Sequence, residues 1–134
     1  MALQYSVSLR NAQLDAVETI IGAAAQLRIY TGAPPADCAT APSGTLLATI
    51  TLPSDWMAAA SAGSKAKSGT WQVAAGAAGT AGYWRLYDSG GTTCHAQGTC
   101  TATGGGGDMT LDNVSIASAQ TITVTTFTIT AGNA

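Results

Sequence analysis

After Gly22 the apolar residues of this chain recur at every second position, in short runs cut off by glycine, proline, asparagine or aspartate. A period of two sends successive side chains to opposite faces of an extended strand, and no helix gathers such a pattern on one side. QLRIY at 26–30 sets Leu27 and Ile29 against Arg28 and Tyr30. TLLATITL at 45–52 places Leu46, Ala48, Ile50 and Leu52 on one face, and TWQVA at 70–74 reads as a further short strand. GYWRLYDSGGTT at 82–93 carries a hairpin signal. Trp84 and Leu86 point one way, Tyr83, Arg85 and Tyr87 the other, and Asp88-Ser89-Gly90-Gly91 supplies the turn. The returning strand is expected from Cys94 to Gly98. MTLDNVSI and QTITVTTFTIT complete the pattern.

Two breaks in phase carry further information. Ile122 and Val124 fall on even positions, Phe127 and Ile129 on odd ones, so one face holds both pairs only if a residue is inserted. Thr125-Thr126 is therefore expected to mark a bulge or a bend between sheets. Met109 and Leu111 against Val114 and Ile116 show the same change across Asp112-Asn113. Between the strands, TGAPPADCATAPSG excludes helix and central strand. Residues 53–70 read as a longer loop holding Trp56, and Gly104–Gly107 as a flexible connection. Seven or so short strands separated by turns predict an all-β chain, a β-sandwich or jelly roll.

The one amphipathic helix is SLRNAQLDAVETIIG at 8–22, with Ser8 as N-cap and Gly22 ending it. At about 100° per residue, Leu9, Ala12, Ala16, Val17 and Ile20 form an apolar side, with Leu14 and Ile21 at its edge. Asn11, Asp15 and Glu18 fall opposite. The helix is expected to cover a sheet or an open end of the fold, with Asp15 and Glu18 as solvated carboxylates. The whole of 1–134 then reads as one domain: an arm at 1–7, the helix at 8–22 and strands over 26–130.

The 134 residues are 46% hydrophobic, enough for a core, but only 9% are charged. A free monomer normally carries about a quarter. Such a chain is weakly defended against self-association, which suits a protein covered by neighbours and predicts a homo-oligomer. The net charge of −2, with Arg10, Arg28, Lys65, Lys67 and Arg85 scattered, argues against nucleic-acid binding. Lys65 and Lys67 read as a solvated pair. No stretch reaches the ~18 consecutive apolar residues of a membrane span. MALQYSVSLRNAQLD lacks a basic region followed by an apolar block, so no secretory signal is expected and synthesis in a cytoplasm is.

Catalysis needs convergent reactive groups. His95 is the only histidine, and Cys94 beside it points to the opposite face of a strand, so a Cys–His nucleophile pair is not expected. Cys38, Cys94, His95 and Cys100 include ligand types suited to zinc, yet they lack a CxxC knuckle, and no metal or cofactor is expected. A Cys94–Cys100 disulfide would have to close ~20 Å of straight strand to within ~4.4–6.8 Å, which only a chain reversal at Gly98 permits. Free thiols are the expectation. Gly104–Gly107 is followed by no helix or GK[ST], which excludes a phosphate loop. Asn113-Val114-Ser115 is a chance glycosylation match. The chain is expected not to be an enzyme.

The order of segments resembles a family of small virion structural proteins of tailed bacteriophages. The resembling features are the N-terminal amphipathic helix, then LRIYTGAPPADCATAPSGTLLATITL, GTAGYWRLYDSGG, a Gly-rich connection and GGDMTLDNVSIASAQTITVTTFTITAG. They cover about Leu9 to Gly132, though they consist largely of turn signals and alternating strands. Cys94, His95, Cys100 and the Gly104–Gly107 run depart from the family pattern. The resemblance implies a virion component assembled in a bacterial host cytoplasm. Its first form is a capsid cement or decoration protein whose partners are the major capsid protein, copies of itself, or both. A neck, connector or tail protein is the alternative. A receptor- or glycan-binding module, stacking sugars on Tyr83 and Tyr87, is a rival of another class. The residues expected to touch neighbours are Leu3 and Tyr5 in the arm, Pro34 and Pro35 in the first long loop, and Trp56, for which packing on its own domain is the competing reading.

Overall fold

A computed structural model describes residues 3–132. Helix α1 (Val7–Ile21) precedes nine strands: β1 (Gln26–Thr31), β2 (Leu46–Thr51), β3 (Ser64–Ala66), β4 (Gln72–Ala74), β5 (Gly79–Tyr87), β6 (Cys94–Ala102), β7 (Met109–Leu111), β8 (Ser115–Ile116) and β9 (Thr121–Thr130). The chain is thus mostly β with a single N-terminal helix, as its periodicity predicts. The strands follow one hydrogen-bonded path, β2-β1-β5-β6-β7-β9-β3, with β4 paired to β9 and β8 to β5. This path curls into a half-barrel. Trp84 on β5 meets Phe127 on β9 edge to face at 5.2 Å although β6 and β7 lie between them in the sheet. Gly76, just past β4, donates its N–H to the Leu47 carbonyl of β2 at 2.8 Å, drawing the two ends of the curl together.

The phase break at Thr125 is a bulge. Thr110 pairs with Thr126, but the next residue, Leu111, pairs with Val124, so Thr125 is the extra residue. Its hydroxyl lies 2.6 Å from that of Thr110 and 2.8 Å from that of Thr103. The insertion lets Ile122, Val124 and Phe127 all reach the core from one strand. A second bulge was not legible. Ile29 pairs with Ala48 and Tyr30 with Leu46, which leaves Leu47 over. Leu47 therefore enters the core and Leu46 faces outward, the reverse of strict alternation from Leu46.

Three further expectations change. The stretch 53–70 is not all loop, since β3 pairs there with β9. β6 runs on through Gly98 to Ala102, so the chain does not reverse at that glycine. The Gly104–Gly107 run is a folded turn that returns the chain parallel to β6, with Met109 beside Cys100. Gly104 and Gly106 take positive φ of +86° and +81°, and the other two glycines are crowded by Thr101. A Cβ on Gly105 would sit 2.7 Å from Thr101, and one on Gly107 would meet the Thr101 backbone nitrogen at 3.0 Å.

An aromatic series runs through the core: Trp56 on Trp71 at 6.1 Å, Trp71 on Phe127 at 5.6 Å, and Phe127 on Trp84. Leu27, Ile29, Ile50, Leu86, Met109 and Leu111 fill the space around it. Leu86 and Trp84 point inward as expected. The opposite face of β5, carrying Tyr83, Arg85 and Tyr87, is buried too, because the 32–45 loop folds flat over it. That loop contains three of the four prolines and has no strand ladder of its own, so its carbonyls must find donors elsewhere. Arg85 provides them. Its Nη1 donates to the Thr40 carbonyl at 2.9 Å and its Nη2 to the Cys38 carbonyl at 2.6 Å. The Tyr83 hydroxyl donates to the Ser43 carbonyl at 2.5 Å and accepts from the Ser43 N–H at 3.0 Å, while its ring stacks on Tyr30. Gln97 Nε2 donates to the Pro35 carbonyl at 2.6 Å.

Arg85→Met keeps the stem and removes the donors, stranding those carbonyls under the loop. Urea unfolding should show a loss of about 3 kcal/mol, the scale of hydrogen bonds to a charged group, and an unchanged midpoint would contradict this role.

Candidate interaction surface

Helix α1 is capped two residues earlier than the sequence suggests. Ser6, not Ser8, is the N-cap, its Oγ accepting from the Leu9 N–H at 3.2 Å. Gly22 closes the helix with a backbone bond to the Glu18 carbonyl at 2.8 Å. Its φ of +88° lies in the region that favours glycine.

The helix docks through its polar side. Residues 56–63, leading into β3, bond back onto 64–68 through Trp56, Ala58 and Ser61, and three of their remaining N–H groups turn to α1. Met57 donates to Glu18 Oε1 at 3.1 Å, Ala60 to Asp15 Oδ1 at 3.1 Å and Gly63 to Asn11 Oδ1 at 2.9 Å. The three acceptors lie at helical spacing and the three donors at every third residue, so the two segments match in antiparallel order. Lys65 on β3 is 3% exposed and lies between the carboxylates, 2.7 Å from Asp15 and 3.1 Å from Glu18. Arg10 Nη1 adds a bond to the Ala131 carbonyl at 3.2 Å. Lys65 is therefore no solvated partner of Lys67; Glu18 is largely covered, while Asp15 keeps half of its side chain in water even as it binds Lys65. A buried ammonium needs paired anions, and α1 brings them.

The protonation equilibria follow this geometry. The hydrogen bond from Lys65, reinforced by the Ala60 N–H, holds the Asp15 carboxyl below its ordinary range. Burial pulls Lys65 down, but its hydrogen bonds to Asp15 and Glu18 outweigh that and leave it raised.

With the polar side turned inward, much of the apolar side faces out. Leu14 and Ile21, at its edge, are buried, and Val17 packs partly against the core. Leu9 and Ala12 are exposed, and Ile20 is 69% exposed. Leu3, 70% exposed, with exposed Tyr5 and Val7, carries the apolar surface on from the helix start. Met1 and Ala2 of the expected arm lie outside the described residues, and Val7 belongs to the helix.

Of the residues expected at an interface, Leu3 and Tyr5 are thus on the surface beside this stripe. Pro34 and Pro35 are half-buried in the loop pinned over β5 and β6. Trp56 is not a surface anchor: it is fully buried, with Nε1 donating to the Gly22 carbonyl at 3.0 Å and its ring on Trp71. Tyr83 and Tyr87 are buried as well, so neither offers an open face to a sugar. The three cysteines are free thiols; Cys100 is buried, while Cys38 and Cys94 lie together beside Arg85. That neighbourhood has no trace in the sequence, where the two are far apart. His95 is exposed on β6 near Ile20, and among the described residues no three His, Cys, Asp or Glu side chains gather as metal ligands. No family model, curated protein or solved structure matches the chain.

Replacing Lys65 with Met should cost about 2 kcal/mol, less than the ~3–5 kcal/mol of a fully buried pair because Asp15 is half exposed. Asp15→Asn combined with Lys65→Met in a double-mutant cycle should recover part of that loss. The contribution of Asp15 is complete above its ordinary value of 3.8 and is lost as the pH falls through its lowered folded value. That of Lys65 is complete below 10.5 and is lost as the pH rises through its raised value. Amide exchange over 57–63 should therefore be slowest relative to its intrinsic rate between those limits. Protection that persists undiminished at pH 2 would remove the clasp from the account.

Proposed function

We propose that this chain is a non-catalytic structural subunit of a tailed-phage virion, a capsid cement or decoration protein that binds across major capsid subunits and stabilises the shell. The sequence resemblance supplies the particle. The observation that carries the mode of action is the outward apolar side of α1, continued by Leu3, Tyr5 and Val7, on a chain with only 9% charged residues. A helix whose apolar residues face solvent in the isolated chain is built to be covered. Binding that covers it on the assembled lattice, and not on free subunits, stabilises the lattice by linkage. The β-sandwich or jelly-roll architecture belongs to this reading, and the curled sheet with its core on the inner side is what supports it. Assembly takes place in the bacterial host cytoplasm, with other copies of the chain as further partners. A glycan-binding module is less favoured, because the aromatics it would use are covered.

Leu9→Glu and Ile20→Glu test this together. Each removes about 1.5–3 kcal/mol of apolar burial at a contact, so the double variant should bind purified particles at least about a hundredfold less tightly. Its circular dichroism and thermal midpoint should stay unchanged, since both positions are already exposed. Antibody labelling distributed over the whole shell supports the cement role. Labelling at one vertex moves the chain to the neck or tail, and particles without the chain overturn the virion reading altogether.

A further inference from the structure

Cys38 and Cys94 meet where the 32–45 loop lies beside β6, next to one buried side chain that bonds to both. Cys38 lies in the 32–45 loop and Cys94 opens β6. Arg85, 1% exposed, reaches both: Nη2 donates to the Cys38 carbonyl at 2.6 Å, and Nε donates to Cys94 Sγ at 3.2 Å. The two thiols lie within interaction distance of each other. With Thr40, Pro42, Arg85 and Tyr87 they line one small surface depression of about 170 Å³. Both cysteines are partly exposed, so a small reagent reaches them. Cys100 differs on every count: it is buried on the far part of β6, and burial pushes its thiol up to about 11.

We propose that Cys38 and Cys94 form a reversible disulfide that fastens the 32–45 loop to β6, formed by exchange with a low-molecular-weight disulfide such as oxidised glutathione. One protein thiolate attacks the glutathione disulfide, giving a mixed disulfide and releasing one glutathione thiolate. The second protein thiolate then attacks the protein sulfur of that mixed disulfide and releases the second glutathione. The two protein thiols lose two protons and two electrons in all, and the glutathione disulfide takes up both electrons and leaves as two thiols. Cys94 lies beside the Arg85 guanidinium, its Sγ accepting from Nε, and either thiol can make the first attack. Burial, together with the adjacent Cys94 thiol, raises Cys38, so closure should run faster at pH 8.5 than at pH 7. The bond would link residues far apart in sequence and hence constrain the unfolded chain strongly. It depends on the loop geometry and not on the virion reading.

The test treats the full reduced chain with oxidised glutathione, alkylates the remaining thiols and maps the peptides by mass. The expected product contains a Cys38–Cys94 disulfide, an alkylated Cys100 and no retained glutathione. Its thermal midpoint should lie several degrees above that of the reduced protein, and dithiothreitol should return it. Cys100→Ser should behave like the parent. Cys94→Ser, which keeps an acceptor for Arg85, should hold the reduced midpoint and stop at a glutathione adduct on Cys38 or at free thiol. Three alkylated cysteines in the treated parent, a stable glutathione adduct there, or a bridge that includes Cys100 would each overturn the assignment.

Discussion

Backbone groups that leave the strand ladders must still find partners, and in this chain two long segments depend on side chains to supply them. The 32–45 loop, rich in proline and alanine, gives its carbonyls to Arg85 and Gln97 and both its Ser43 groups to Tyr83. The 56–63 segment gives its N–H groups to Asn11, Asp15 and Glu18. The two solutions are complementary. A cation on a strand serves a loop short of donors, and anions on a helix serve a loop short of acceptors. Each leaves a charge in poor contact with water, and the second meets that cost by placing Lys65 between its carboxylates.

Strand alternation identified β1, β4, β5 and β9, because those runs have one face in the core and the period reports it. The Thr125 bulge was visible because apolar residues stand on both sides of it in opposite phase. The Leu47 bulge was not, because Leu46 and Leu47 are the same residue type and either can be counted as the inward one. The helix was found but turned the wrong way. Hydrophobic periodicity assumes that an apolar side seeks the core, and a polar side that satisfies a neighbouring backbone produces the same pattern. A weak signal existed in MAAASAG at 57–63, which offers amides and small side chains but no apolar face for a helix to cover.

The candidate surface was legible only in part, for the same reason. Leu3 and Tyr5 were identified as apolar residues outside any strand, and they are exposed. Trp56 was weighed as an anchor because it lies in a loop, yet its partner, the Gly22 carbonyl, is the end of a helix distant in sequence. Contacts between loops and distant elements leave no periodic trace. The pairing of Cys38 with Cys94 belongs to this class too.

A sheet this short of charge cannot rely on lysine to keep strangers from its rims. Its outermost strands are instead occupied from within. Gly76 takes the Leu47 carbonyl on β2, while Ala58 and Ser61 take the backbone edge of β3 at the other extreme of the path. Curvature and a folded-back connection therefore fill hydrogen-bonding margins that lysine would guard elsewhere, and the helix, which holds that connection in place, keeps its apolar exterior outward.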